Sequence, residues 1–533
     1  MNQPEELKLD RPLKWSAGTG TDAWALFCAC ISGDLETVKR LLAKDPSLAR
    51  CHYHYRKPLY FAVRENRLEI AALLLEHDPD PFGLAVNDSL LEITRDRGYP
   101  EMERLLESKF ADRFDASPRG EPLAAAIREH DLAKLRALLD ASPELLHAGD
   151  QRSNQPIHWA VMTRQLEFVD ELLKRGANLN ARRCDGARPI HLTNGDYHFR
   201  GWRDVPKDWP TTPAEVYQHL VRRGADVDLG MACATGDLER VRELLDRDPS
   251  LVNRVSDYGS YYLGCGAPIK NAAARGHLEV VRLLLERGAD PNLPEEGIAP
   301  RGHALYSAAA NGHYEIAKLL LEHGAHPNVE VESSADTLSR VISNGDQRML
   351  ELLCSHGAAR AVPLLAHDND LPTAAAVFAA NPALADAPDA LGSASSEAFV
   401  RLMLRHAPDL PRRITVAKSR EVTELLFRQG MDPNRPDWLG ITQLHGFART
   451  GDVENAAIFL DHGADLHARD EDICSTPLGW AAKFGQKPMV EFLLERGAKP
   501  NRPDDPPWAT PLAWATRRGH PEIVGVLKRH DAK

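Results

Sequence analysis

Several absences narrow the reading before any motif is considered. No stretch of 18 consecutive apolar residues occurs, and the opening MNQPEELKLDRPLKW has no basic segment running into an apolar one. Neither a membrane-spanning helix nor a secretory leader is expected, so the chain reads as a cytoplasmic protein with no membrane partner. The eight cysteines, at 28, 30, 51, 184, 233, 265, 354 and 474, form no C-x-x-C pair and keep no regular spacing. A zinc knuckle or a disulfide framework needs such spacing, so reduced thiols and no metal site are expected.

Charge of one sign is also never concentrated. The 65 basic and 77 acidic residues leave a formal charge of -12, spread without a long run of either sign. A dedicated nucleic-acid surface would gather basic residues on one stretch or face, and none is expected here. There is no G-x-G-x-x-G after a strand, no Walker sequence, no H-E-x-x-H and no G-x-S-x-G. The common nucleotide, metalloprotease and hydrolase signatures are therefore missing, and no cofactor is expected.

What the chain does contain is a repeat. QPIHWAVMTRQLEFVDELLKRGANLN (155–180), APIKNAAARGHLEVVRLLLERGADPN (267–292), TPLGWAAKFGQKPMVEFLLERGAKPN (476–501) and TPLAWATRRGHPEIVGVLKRHDA (510–532) share one pattern, and KPLYFAVRENRLEIAALLLEHD (57–78) follows it. Prolines 156 and 189 are 33 residues apart, and 477 and 511 are 34 apart. Each unit predicts a short apolar helix starting at a proline, a turn, and a second helix ending in a Leu-Leu pair. Two such helices cannot bury their apolar faces alone, so units must stack.

These motifs resemble the ankyrin repeat family, whose T-P-L-H-x-A signature and G-H-x-E-V-V-x-L-L-L-x-x-G-A-D continuation recur in phase over nearly the whole chain. The resemblance implies an all-α solenoid of about fifteen helix-pair units, with finger loops projecting between units and a concave recognition face. It implies a binding scaffold whose partner is another protein, acting as a monomer. An array over 1–386 with enlarged fingers and a second over 387–533 that caps the stack are expected. The Ala-, Pro- and Ser-rich segment 387–411 reads either as a joint between them or as one degenerate unit.

The departures from the repeat carry the site information. His191 to Gly224 spans 33 residues where the equivalent His158 to Gly176 spans 18, so fifteen residues are inserted near 194–209. The insertion holds Asp196, Tyr197, His198, Arg200 and Trp202, and insertions in repeat arrays emerge as loops, commonly on one face. Either its aromatics cover adjacent helices or it walls a pocket. The finger VNRVSDYGSYYLGCGAP (252–268) is lengthened and carries Asp257, Tyr258 and Tyr262, while the exit after Gly224 is shortened. A missing finger between two enlarged neighbours predicts a gap.

Other fingers add Tyr55 and Arg56, Asp150 and Arg152, Arg183 and Asp185, Arg301, His303 and Tyr306, and Glu330 and Glu332. Lys270 and Asn271 stand where His158 and Trp159 stand in the repeat, and Trp159, one of three tryptophans that recur at that position, is itself a candidate to border the site. That polar, aromatic, mixed-charge set suits a polar small molecule or oligosaccharide as the alternative ligand. Asp185, Asp196, Asp257, Glu330 and Glu332 are the candidate catalytic carboxylates, because two of them about 5 to 10 Å apart over an aromatic floor would serve glycosidic chemistry. Whether they converge, and whether anything is catalysed, is left open by the sequence.

Overall fold

The computed structural model describes residues 1–13, 16–77, 88–114, 118–150, 152–196, 198–258, 262–293, 303–328, 336–414 and 420–532. Thirty α-helices occur among them, with short 3-10 turns between, and the extended pairing seen is confined to isolated bridges. The all-α, helix-pair repeat expected from the periodicity is what forms.

One unit shows why. Pro268 opens the helix Pro268–Arg275, where a missing N–H leaves nothing unpaired and the fixed φ already suits a helix. Gly276 ends it at φ +80, a conformation in which a side chain is strained, and a Cβ there would also lie 2.8 Å from the His313 ring of the next unit. The second helix, Leu278–Glu286, buries Val280, Val281, Leu283 and Leu284, while Glu279 and Arg282 face outward. Each such aliphatic contributes about 1.5 to 3 kcal/mol when buried. The first helices of consecutive units, Leu229–Thr235, Pro268–Arg275 and Ala304–Ala310, pack side by side, so the burial that one pair cannot complete is completed by its neighbours.

An asparagine ladder ties the unit ends together. Asn292 donates from Nδ2 to the Gly324 carbonyl at 2.8 Å and accepts from the His326 amide at 2.8 Å. Asn328 does the same with Gly357 and Ala359, and Asn434 with Gly463 and Asp465. The amide thus serves a carbonyl that the helix end leaves unpaired. These bonds are solvent-exposed, so Asn292→Ala should lower stability by about 1 to 2 kcal/mol in a urea titration.

Units that end in Asp-Pro or Asn-Pro use a different stop. Asp45, Asp248 and Asn381 accept an amide of the following 3-10 turns Pro46–Arg50, Pro249–Asn253 and Pro382–Ala385.

The chain divides into two compact units, Glu6–Ala359 and Arg360–Lys533 with Met1–Glu5. The divide falls before the 386/387 boundary expected from sequence. In the second unit, Leu391, Phe399, Met403 and Leu410 belong to a core cluster that runs from Leu365 to Leu527. Residues 387–411 therefore form part of a packed array, with helices Pro388–Ser393 and Glu397–Leu404 contributing its apolar side chains.

The insertion reshapes its own unit. The first helix is reduced to the 3-10 turn Pro189–Leu192, and Gly195 at φ +84 turns the chain so sharply that a Cβ there would meet the Phe199 carbonyl at 2.0 Å. The second helix, Pro213–Arg222, restarts on a capping box in which Thr212 and Glu215 each bond the other's backbone amide.

Candidate functional site

The inserted loop and three fingers of the Glu6–Ala359 unit meet at Arg183. Its Nη1 donates to Asn154 Oδ1 at 2.6 Å and to Asp196 Oδ2 at 2.8 Å. Its Nε donates to Asp185 Oδ1 at 3.1 Å, and its Nη2 to Asp185 Oδ2 and, at 2.5 Å, to the Tyr262 hydroxyl. Tyr262 in turn donates to Asp185 at 2.6 Å. The side chains of Arg183 and Asp196 are 6% and 1% exposed, which removes water as an alternative partner.

Proton affinities follow from this packing. Burial alone would raise the Asp185 pKa, but Arg183, the Tyr262 hydroxyl and the Ala187 amide more than offset it and hold it at about 2. Asp196 is likewise lowered: Arg183 and Arg152 outweigh the effect of burial. Burial would lower Arg183, yet Asp185, Tyr262 and Asp196 keep it well above its usual value. Two candidate catalytic carboxylates are therefore brought together, but as ionised partners of one guanidinium.

Asp196 spends its other oxygen on the loop, accepting from the His198 and Phe199 amides at 2.8 and 2.7 Å. Phe199 then stands edge-on to Trp159, with ring centroids 5.6 Å apart, and Arg152 lies over the same indole. Asp196 thus joins the root of the inserted loop to the fingers that carry Asn154 and Arg183. Asp257 does not join: it is exposed and pairs with Arg182 at 2.8 Å. Tyr197, Arg301, Glu330 and Glu332 lie outside the described residues.

Asp150 and Trp159 make a pair that the second unit repeats. The Trp159 indole donates to Asp150 at 2.9 Å, and Asp150 also accepts the Arg152 and Asn154 amides. Trp480 donates to Asp470 at 2.8 Å, and Asp470 accepts the Asp472, Ile473 and Ser475 amides. The same geometry twice identifies a finger brace, in which the carboxylate pairs turn amides that would otherwise be buried without acceptors.

The expected gap after Gly224 is filled. Tyr258, 4% exposed, stacks on His191 at 3.7 Å between ring centroids and reaches Asp228 with its hydroxyl at 3.4 Å. His158 and His445 place Nε2 against a finger carbonyl, Ala181 and Ser475. Where that finger is missing, Asp228 supplies the acceptor for His191 at 3.0 Å and for Arg188 at 2.6 Å. In the sequence, Asp228 is marked only by its position at the start of the next helix with the usual finger deleted.

Lys270 and Asn271 close their own finger, both donating to the Cys265 carbonyl at 2.7 and 3.1 Å. Tyr55 sits at the apex of a two-residue turn in which His54 and Tyr55 both have positive φ, and Arg56 lies over Tyr60 at 5.5 Å. His303 is buried at the start of Ala304–Ala310, and Tyr306 is half-buried on that helix. Arg200 is half-buried, His198 is exposed, and Trp202 is 64% exposed.

Stacked short helix pairs, joined by fingers braced on aspartate, define a helical repeat protein. The chain belongs to the ankyrin repeat family: the profile "Ankyrin repeats (3 copies)" matches residues 13–82, 229–331 and 414–504, and "Ankyrin repeat" matches 154–183. It is 30% identical over 206 residues to the probable E3 ubiquitin-protein ligase XBOS32 of Oryza sativa subsp. japonica, covering 34% of this chain and 40% of that one. It is 34% identical over 171 residues to human palmitoyltransferase ZDHHC13, covering 31% and 28%, and 29% identical over 153 residues to human transient receptor potential cation channel subfamily A member 1, covering 28% and 12%. The chain thus spans less than half the length of these curated relatives.

Proposed function

We propose that this protein is an interaction scaffold whose partner is another protein, and that the enlarged fingers and inserted loop of the Glu6–Ala359 unit carry the contact. The observation that supports this most is the Arg183 network, which joins three fingers and the loop root. A surface ordered before binding loses little entropy when a partner docks. Among the described residues no helix is long and apolar enough to cross a membrane. The protein acts in the cytoplasm as a monomer under this reading.

The alternative reading places a polar small molecule or oligosaccharide between residues 150 and 336, with Asp185 and Asp196 as its acid and base. As an acid and base pair it requires Arg183 to surrender the carboxylate that serves as acid, since neither protonates near neutrality while paired with it. The test is affinity capture with the full chain, followed by reconstitution from purified components. A partner that rebinds in stoichiometric amounts supports the scaffold. No rebinding partner, together with a rise in Tm on adding an oligosaccharide panel, would favour the alternative.

A further inference from the structure

We infer that Trp202 is the anchor of a docking surface for a short acidic segment of a partner protein that carries at least one apolar side chain. The inference rests on the scaffold reading above and names where on the array, and to what chemistry, it applies.

Trp202 stands out because the loop around it is ordered while its own ring is not buried. The chain from 200 to 204 makes one tight turn: the Arg203 and Asp204 amides both donate to the Arg200 carbonyl, at 3.0 and 2.7 Å. Asp204 accepts the Arg200 amide at 2.7 Å, and Arg203 Nη2 reaches the His198 carbonyl at 2.7 Å. Gly201 donates to the Asn194 carbonyl at 3.0 Å, in a space where a Cβ would come within 2.6 Å of the Arg164 guanidinium. On the return, Val205 is buried and the Trp209 indole donates to the Arg164 carbonyl at 3.2 Å. The buried Asp196 fixes the other root.

The two tryptophans of the insertion therefore differ in role. Trp209 is half-buried against His130 and holds the loop down, whereas Trp202 presents 64% of its surface to water. An ordered, exposed indole is a costly arrangement for solubility, and tryptophan is the residue type most enriched where interfaces concentrate their binding energy.

Local charge names the partner's sign. Within a chain of formal charge -12, residues 198–207 carry Arg200, Arg203 and Lys207 against Asp204 alone, with Asp208 following. Arg203 and Asp204 neutralise each other inside the turn, where Asp204 also accepts the Arg200 amide, which leaves Arg200 and Lys207 against Asp208. Burial of part of the ring first, and then Arg152, Arg183 and Arg200 against the opposing charge of Asp196, lower the proton affinity of His198. An acidic segment crossing this rim meets Arg200 and Lys207 beside the indole and gains charge complementarity there.

The test uses the full chain, a random-peptide display library and the variants W202A and K207E. Both replaced side chains are solvent-exposed, so each variant should keep the wild-type Tm. Panning on the wild type with counter-selection on W202A should enrich peptides combining Asp or Glu with an apolar residue. A synthetic peptide from that pool should bind W202A about 10-fold or more weakly. It should bind K207E, and the wild type at high salt, about 3-fold or more weakly. Selected peptides that are neutral or basic, or absence of any W202A-dependent enrichment, overturn the inference. If a partner reconstituted by affinity capture binds wild type and W202A alike, the inference falls while the scaffold reading stands. If no partner is captured at all, the scaffold reading fails first.

Discussion

Replacing Arg183 by methionine lowers the stability of the Glu6–Ala359 unit by about 3 to 5 kcal/mol at neutral pH, the penalty for leaving buried charge without its partner. Asp185 and Asp196 would remain ionised in a space that excludes water, each having lost its main counter-charge. The pH dependence identifies the cause. In the wild type, Asp185 at about 2 lies below its ordinary value, so its contribution is present above about pH 4 and lost as pH falls toward 2. Without Arg183, burial loses its largest offset and both carboxyls should become easier to protonate, so the penalty for leaving them ionised should be relieved as pH falls.

The deficit of R183M relative to wild type should therefore shrink between pH 8 and pH 5, measured by urea titration followed at more than one wavelength because long arrays need not unfold in one step. Adding D185N and D196N should recover most of the loss, since removing all the charges is less damaging than removing one. A deficit below about 1 kcal/mol, or one that is constant with pH, would mean that the network does not bear on stability as described.

The two structural levels were unequally legible in the sequence. Helix pairs, stacking and the length of the insertion depend on local periodicity and on counting between His191 and Gly224, and these carried through to the fold. The direction of a finger side chain depends on turns that periodicity does not encode. Asp196 and Asp257 looked equivalent as acidic residues in enlarged segments. One is drawn inward by Arg183 and by two loop amides, while the other is left outside with Arg182. Tyr258 turned inward because the deleted finger uncovered the His191 ring, which an aromatic face could cover. Asp150 stands with Arg152 in a polar finger, and its role as a brace for Trp159 shows in the sequence only through Asp470, which precedes Trp480 at nearly the same spacing. The difference between brace and ligand group lies in how one unit matches another, not in how each matches the average repeat.

Acid should weaken both units through their buried histidines. His158 accepts the Gln155 amide on Nδ1 at 3.0 Å and places Nε2 3.1 Å from the Ala181 carbonyl, so the neutral ring satisfies both neighbours. Burial first, and then Arg183, hold its pKa down at about 3 against a usual 6.5. His191 in the same unit and His445 in the Arg360–Lys533 unit are lowered as well, mainly by burial. An unfolded chain takes up protons at these histidines as pH falls through 6.5, whereas the native chain does not until far lower. The stabilisation is complete above about pH 7 and declines below it, by about 1.4 kcal/mol per pH unit for His158 alone. By pH 5 that residue contributes a loss of about 2 kcal/mol, and the Asp185 effect adds in the same direction only below about pH 4. Urea midpoints should be flat from pH 7 to 8.5 and fall steeply from 6.5 to 5. The array itself supplies a control, because Ala513 stands where His158 and His445 stand in their units, and Thr510 caps that helix by accepting the Ala513 amide. Q155T/H158A should copy that arrangement, and its midpoint should fall less between pH 6.5 and 5 than that of the wild type. Parallel pH profiles for the two proteins would assign the acid sensitivity to groups other than His158.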